Sequence, residues 1–252
     1  MVPAKRYAVV SCHVERPLDD RVWERFSALQ ERPPGGFAVA ALLRPPDPDA
    51  GEDARVWLER ARGAAARGPL GHHTHWTAPD HARPTGEGDP AARVRGEAAW
   101  LREQGLRPTF FCGGGWYADL GVAEACADLG YADCTATAYR PGYLPPDAPR
   151  FALAAPARVE LPSGARLLEL PSTHSLGMLA RAVLSPGGLQ AELVHVHFHD
   201  TDLVDLRRRL ALVWALRVLA RRRQATDLDR YAESIRASIR EIRFEEIVAA
   251  AT

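Results

Sequence analysis

Histidine is the residue whose placement in this chain first points to chemistry. Eight of the nine histidines fall in four short stretches: His13; His72, His73 and His75; His174; and His195, His197 and His199. Neutral imidazole is the commonest side-chain ligand of divalent metals, and its unperturbed pKa of about 6.5 suits proton transfer near neutrality. Alternate side chains of an extended strand share a face. His73 and His75 therefore point one way and His72 and Thr74 the other. Two imidazoles so placed can chelate a divalent ion, with Zn2+ the expected species. His195, His197 and His199 share a face in the same manner, and Asp200 follows them. His199, at the mouth of its strand, is the expected general acid, with Asp200 beside it to orient the ring. His195 and His197 lie deeper and read as structural.

His13 and Glu15 form a third same-face pair, followed by Asp19 and Asp20. A side chain from this segment could complete a metal site or take the proton from metal-bound water. Glu15 keeps strand register as a metal ligand, whereas His13 and Asp20 are candidates for the base. Asp19 and Asp20 serve equally well as helix N-caps. Gly113-Gly114-Gly115 lets backbone come close to a ligand, and the amides of Gly113 and Gly114 could hold an oxyanion. The triplet lacks the GxxxxGK[ST] pattern of a phosphate loop. Trp116 and Tyr117 could stack on a sugar face, His174 is a further substrate-binding candidate, and Cys112 reads as a buried thiol.

These residues need strands to carry them. Apolar, β-rich runs alternate with stretches of helical period, which argues for βαβ units around a parallel sheet or barrel, with its site at the C-terminal strand ends. Strands are expected at 7–12, 37–43, 70–76, 109–112, 134–139 and 193–198, and a hairpin at 158–161 and 166–170 around Pro162-Ser163-Gly164. Helices are expected from about Asp20, and over 53–67, 91–104 and 122–129, the last two stopped by Gly105 and Gly130. A long helix follows Asp200, with Leu206, Leu210, Val213 and Leu216 on its apolar face and its arginines in solvent. The stretch 78–90 reads as a functional loop and 140–156 as a proline-rich crossing.

In this order the segments resemble the polysaccharide deacetylases of carbohydrate esterase family 4. Leu70-Gly71-His72-His73-Thr74 is similar to that family's G-N-H-[ST] motif, Phe110-Phe111-Cys112-Gly113-Gly114 to its F-R-P-P-Y segment, and Val196-His197-Phe198-His199-Asp200 to its last motif, L-x-H-D in form. The resemblance spans about residues 5 to 205. It implies a single distorted (β/α) barrel of about seven parallel strands over residues 1–252, with a C-terminal helical segment from about 203. It also implies a Zn-like metal, a first-strand base and a histidine acid that together remove acetyl groups from sugars. His73 would be the first histidine ligand. The second falls on Thr77, so His75 takes its place, and Cys112 stands where the family has arginine. Ser11-Cys12-His13-Val14-Glu15 stands where the family has T-F-D-D or F-D-V-E-D. His13 would then occupy the base position and Glu15 that of the metal-binding acid, unless Asp19 or Asp20 folds back.

Composition sets limits. Thirty-two basic side chains balance thirty-two acidic ones, so no net field draws in nucleic acid, and a small-molecule or glycan substrate is expected. No run approaches a membrane span, and the start of the chain lacks the apolar core of a secretory signal. With four cysteines and no CxxC spacing, reduced thiols and a cytoplasmic location are expected. Oligomeric state is not legible. Two other readings stand beside deacetylation: an amidohydrolase-like metal hydrolase built on the HxH pair, and a deacetylase-like barrel that binds a glycan or protein without catalysis.

Overall fold

Among the described residues aspartate starts six of the seven α-helices: Asp19, Asp53, Asp89, Asp119, Asp205 and Asp227 each accept a backbone N–H from the first turn. The cap satisfies donors that have no partner inside the helix. The computed structural model describes residues 6–86, 88–145, 148–185 and 187–248. In chain order the elements are β1 (Tyr7–Val14), α1 (Asp20–Glu31), β2 (Ala40–Leu43), α2 (Ala54–Ala65), β3 (Leu70–Thr74), α3 (Pro90–Glu103), β4 (Phe110–Gly113), α4 (Leu120–Leu129) and β5 (Ala132–Asp133). They continue with β6 (Ala157–Glu160), β7 (Arg166–Glu169), β8 (His174–Ser175), α5 (Leu176–Ala182), β9 (Leu193–His199), α6 (Leu206–Arg222), β10 (Gln224–Ala225), α7 (Leu228–Ile235) and β11 (Glu241–Arg243).

The result is a mixed α/β fold around one mostly parallel sheet, ordered β11-β6-β7-β5-β4-β3-β2-β1-β9-β8, with β10 pairing the start of β1. The β6–β7 ladder is antiparallel, the hairpin expected around Gly164, whose φ of 85° suits a residue without a Cβ. β7 and β8 are successive pieces of one stretch of chain. β7 pairs with β5 and β8 with β9. Between them Leu170 and Ser172 N–H donate to Asp133 and Ala136 carbonyls, and Thr173 N–H donates to that of His195.

The two faces of the sheet are buried differently. Ala8, Val10 and Cys12 of β1 pack with Phe26 of α1 and Leu212, Leu216 and Leu219 of α6. Val9, Leu42, Phe110, Leu170 and Leu193 face the other way, against Leu228 and Tyr231 of α7. α7 thus covers the N-terminal strand ends, where Tyr231 meets Tyr7, and leaves the C-terminal ends to the histidines. No described helix is long and apolar enough to cross a membrane.

Three expectations change. The fifth strand lies at Ala132–Asp133 rather than 134–139, because beyond Asp133 the backbone bonds irregularly, through isolated bridges at Thr137. On α6 the buried positions are Leu212, Ala215, Leu216 and Leu219, whereas Leu206 and Leu210 are exposed. The apolar stripe predicted from Leu206 was rotated because leucine outnumbers the core positions there. β10, α7 and β11 had no counterpart in the sequence reading, since two- and three-residue strands carry no periodicity.

A buried acid pair sits on the helix side. Asp133 and Glu169 are register partners on β5 and β7, both fully buried. Thr135 donates to Asp133 Oδ1 through its N–H (2.8 Å) and its hydroxyl (2.6 Å). Burial pushes Asp133 up to about 6, and burial with the neighbouring Asp133 charge pushes Glu169 well above the usual range. Both folded-state values exceed the ordinary carboxylate value of about 4. The pair's contribution to stability is therefore greatest below that pH and is lost as pH rises through about 6. Glu169→Gln is expected to raise the urea midpoint at about pH 8 and to flatten its decline from about pH 5. Parallel wild-type and variant pH series would sink this assignment.

Candidate active site

β1, β3 and β9 end together and place their last side chains in one cluster. His13 is the register partner of His199 on β9, and His73 that of Cys112 on β4. Glu15 is the first residue past β1, and His75 the first past β3. Glu15 Oε1 lies 3.9 Å from His73 Nε2, 3.6 Å from His75 Nε2 and 3.6 Å from His199 Nε2. One carboxylate oxygen thus faces three imidazole nitrogens.

Hydrogen bonds on the far sides of the rings decide what those nitrogens can do. His73 Nδ1–H donates to the Cys112 carbonyl at 2.8 Å and His75 Nδ1–H to the Pro79 carbonyl at 2.6 Å. A carbonyl only accepts, so Nδ1 carries the hydrogen in each ring and Nε2 of the neutral imidazole presents a lone pair. Both Nε2 atoms are buried without a hydrogen-bond partner, an arrangement that ordinarily costs stability. Burial also holds His73 below its ordinary pKa, in the neutral form a ligand requires. Glu15, His73 and His75 each offer a donor atom within 4.8 Å of the others. Two imidazoles oriented through outer-shell carbonyls, with one carboxylate, fit a divalent metal such as Zn2+.

His199 occupies the open side, its side chain 35% exposed. Its N–H donates to Asp202 Oδ2 at 3.0 Å, the same oxygen lies 4.0 Å from His199 Nδ1, and Arg208 donates to the other oxygen at 2.8 Å. Asp202 was not anticipated from the sequence, although its spacing, three residues past His199, is that of a capping residue. His13 is buried behind the Glu15 group, its ring 4.8 Å from that of His73 and 5.2 Å from that of His199. Burial, with the neighbouring His73, His199 and His197, lowers its pKa far below the usual value, so His13 is neutral.

Two adjoining cavities of about 630 and 620 Å³ open over the cluster and share Trp116, Tyr143, His199, Asp202 and Arg208. Trp116, at a φ of 58°, packs edge-on against His197 at 4.7 Å. Tyr139 and Tyr143 line the second cavity and Arg83 the first. None of the three was singled out in the sequence, because they arrive on loops that carry no periodic signal. A third cavity, beside Pro45–Glu52, has no histidine in its lining.

Several expected site residues lie elsewhere or act differently. Asp20 is exposed and pairs with Arg60, while Asp19 caps α1. Neither reaches the cluster, because α1 begins just after β1 and turns both outward. Asp200 is buried and accepts the N–H groups of Arg16 and Thr201, both at 2.8 Å. It fixes the backbone beside Glu15 and makes no hydrogen bond to His199. Gly113 N–H is taken by Thr135 Oγ1 at 2.8 Å, which leaves it unable to hold an oxyanion. Gly114 instead gives room: a Cβ there would stand 2.6 Å from the Thr74 and Ala82 carbonyls and 3.0 Å from His75 Cδ2. Tyr117 packs on Trp76 and donates to Asp119 at 2.7 Å, outside the cavities. His174 is the register partner of Val196, so it lies on the face opposite the cluster.

Three further histidines are held by the fold, while His81 lines the first cavity. His195 Nδ1–H donates to the Leu170 carbonyl and its Nε2 accepts from Ser11, and burial lowers its pKa to about 4. His72 pairs with Glu97 of α3 at 2.7 Å on the helix side. His197 is buried against Trp116 and the hydroxyl of Tyr139.

No protein-family model matches the chain, and no curated protein matches it. Among solved structures, the 4-alpha-glucanotransferase from Thermococcus litoralis is similar with a TM-score of 0.49 and 12% sequence identity, over 95% of this chain and 38% of that chain. The chain thus spans well under half the length of that protein, and a likeness so distant says nothing about chemistry.

Proposed function

We propose that this protein is a metal-dependent hydrolase that removes the acetyl group from an N-acetylated sugar or glycoside, on a (β/α) barrel like that of the polysaccharide deacetylases. The observation that carries the reading is the pair of buried, partnerless Nε2 atoms of His73 and His75 aimed at Glu15 Oε1. The barrel is supported by the stretch from Arg166 to Ser175, which pairs with β5 on one side and β9 on the other.

Glu15, His73 and His75 would hold the ion. A bound Zn2+ supplies Lewis-acid polarisation of the amide carbonyl and a more acidic water. The chain supplies the rest. His13 stands at the base position that the resemblance implies, although its burial opposes protonation, and His199, oriented through Asp202, donates a proton to the departing sugar nitrogen. Trp116, Tyr139 and Tyr143 wall the groove with aromatic faces that suit the C–H faces of a pyranose.

The chain's single lysine is Lys5, ahead of β1 in sequence, which leaves the amidohydrolase reading without a lysine among the described residues to bridge two ions. One observation favours a non-catalytic glycan binder: neither Asp19 nor Asp20 reaches the cluster to act as a carboxylate base. Zinc-loaded protein incubated with N-acetylated mono- and oligosaccharides separates the readings. Equal release of acetate and free amine is expected. Saturable glycan binding without acetate would establish the binder instead.

A further inference from the structure

Directly behind the Glu15 group lies a second set of donors. His13 from β1, His73 from β3 and Cys112 from β4 each offer one ligand atom within 4.8 Å of the others, and all three side chains are buried. Cys112 Sγ stands 3.6 Å from His13 Nε2 and 3.8 Å from the Gly113 carbonyl. Neither contact grips the thiol proton strongly, because sulfur is a weak donor. His73 Nε2 is 1% exposed as a residue and has no hydrogen-bond partner. The His73 ring stands 4.8 Å from that of His13, and its unpartnered Nε2 also faces Glu15 Oε1 at 3.9 Å, so this ring lies between the two donor sets.

We infer that His13, His73 and Cys112 form an inner site for a soft divalent cation, an alternative to the outer Glu15, His73 and His75 set. The sharing of His73 makes the two sets exclusive, because His73 Nδ1 is committed to the Cys112 carbonyl and only Nε2 is free. Two imidazoles with one thiolate favour Zn2+, Cd2+ or Co2+ over Mg2+ or Ca2+, which take oxygen ligands. Coordination converts the thiol to thiolate, the cation replacing one proton, which leaves to solvent. An ion held there would occupy both His73 and His13, so only the fraction of protein loaded at the outer set would carry out the hydrolysis proposed above. The competition rests on that reading, while the inner donor set stands on its own contacts.

Co2+ titration of metal-free protein, followed by absorption, tests the inference without any turnover. Wild type is expected to develop a near-ultraviolet thiolate-to-cobalt charge-transfer band that saturates at one equivalent. Cys112→Ser is expected to lose the band and still bind one equivalent through the outer set, and His75→Ala to keep the band. Visible cobalt absorption with no thiolate band in wild type would overturn the inner site and leave the proposed function standing. No cobalt binding would overturn both. A band that persists in Cys112→Ser would assign the thiolate to another cysteine, and a second equivalent in wild type would overturn exclusivity.

Discussion

His73→Ala is expected to leave a folded protein that no longer retains zinc, with affinity reduced by more than about 100-fold and turnover lost. The loss should exceed the roughly 10- to 100-fold penalty seen when only an outer-shell partner of a metal ligand is removed, since His73 belongs to both donor sets. Its ring is 1% exposed, so alanine also leaves a small cavity, and near-native circular dichroism is the control. Elemental analysis of wild type and variant, purified side by side without added metal, gives the measurement. Equal zinc content in the two would remove His73 from the centre.

His199→Ala is expected to behave in the opposite sense. Zinc content should hold at one equivalent while kcat falls by about 10²- to 10⁴-fold, the range for removal of a positioned acid. The distinction follows from geometry: His199 Nε2 approaches Glu15 Oε1 but lies outside the three-donor set of Glu15, His73 and His75. Loss of zinc together with loss of activity would make His199 a ligand and leave the leaving group without its proton source. Asp202→Asn is the matched partner, since it keeps the backbone hydrogen bond to His199 while removing the charge beside the ring.

Strand alternation was enough to bring Glu15, His73, His75 and His199 into one group, because each sits at or just past the end of a buried parallel strand, where the period of two still governs direction. The same rule separated His72 from His73. It gave no direction for His174, whose face depends on the register of a two-residue strand against β9. It had no purchase on Asp20 and Asp200, whose directions are set by the first turns of helices. The oxyanion role expected for Gly113 failed because Thr135, far away in sequence, takes its amide. The groove walls at Tyr139 and Tyr143 come from the irregular stretch after β5, where the strand expected over 134–139 does not form and no period gives their direction. The overall βαβ alternation was legible because buried parallel strands are continuous apolar runs. The short strands near the C-terminus owe their pairing to neighbours and not to pattern.

The ladder between β1 and β9 joins Tyr7 to Leu193 and His13 to His199, so the first strand finds its second neighbour only when most of the chain has been made. Strands β1, β2 and β3, by contrast, are adjacent both in sequence and in the sheet. Closing the longer loop costs little extra in equilibrium terms, since each doubling of length adds only about 0.6 kcal/mol. It weighs more heavily on rate, because non-local pairing is slow to find. Assembly during synthesis therefore has a direction: Glu15, His73 and His75 can gather while the ribosome is still far from His199. His199 is delivered last, to a cluster whose Glu15, His73 and His75 members are already in place.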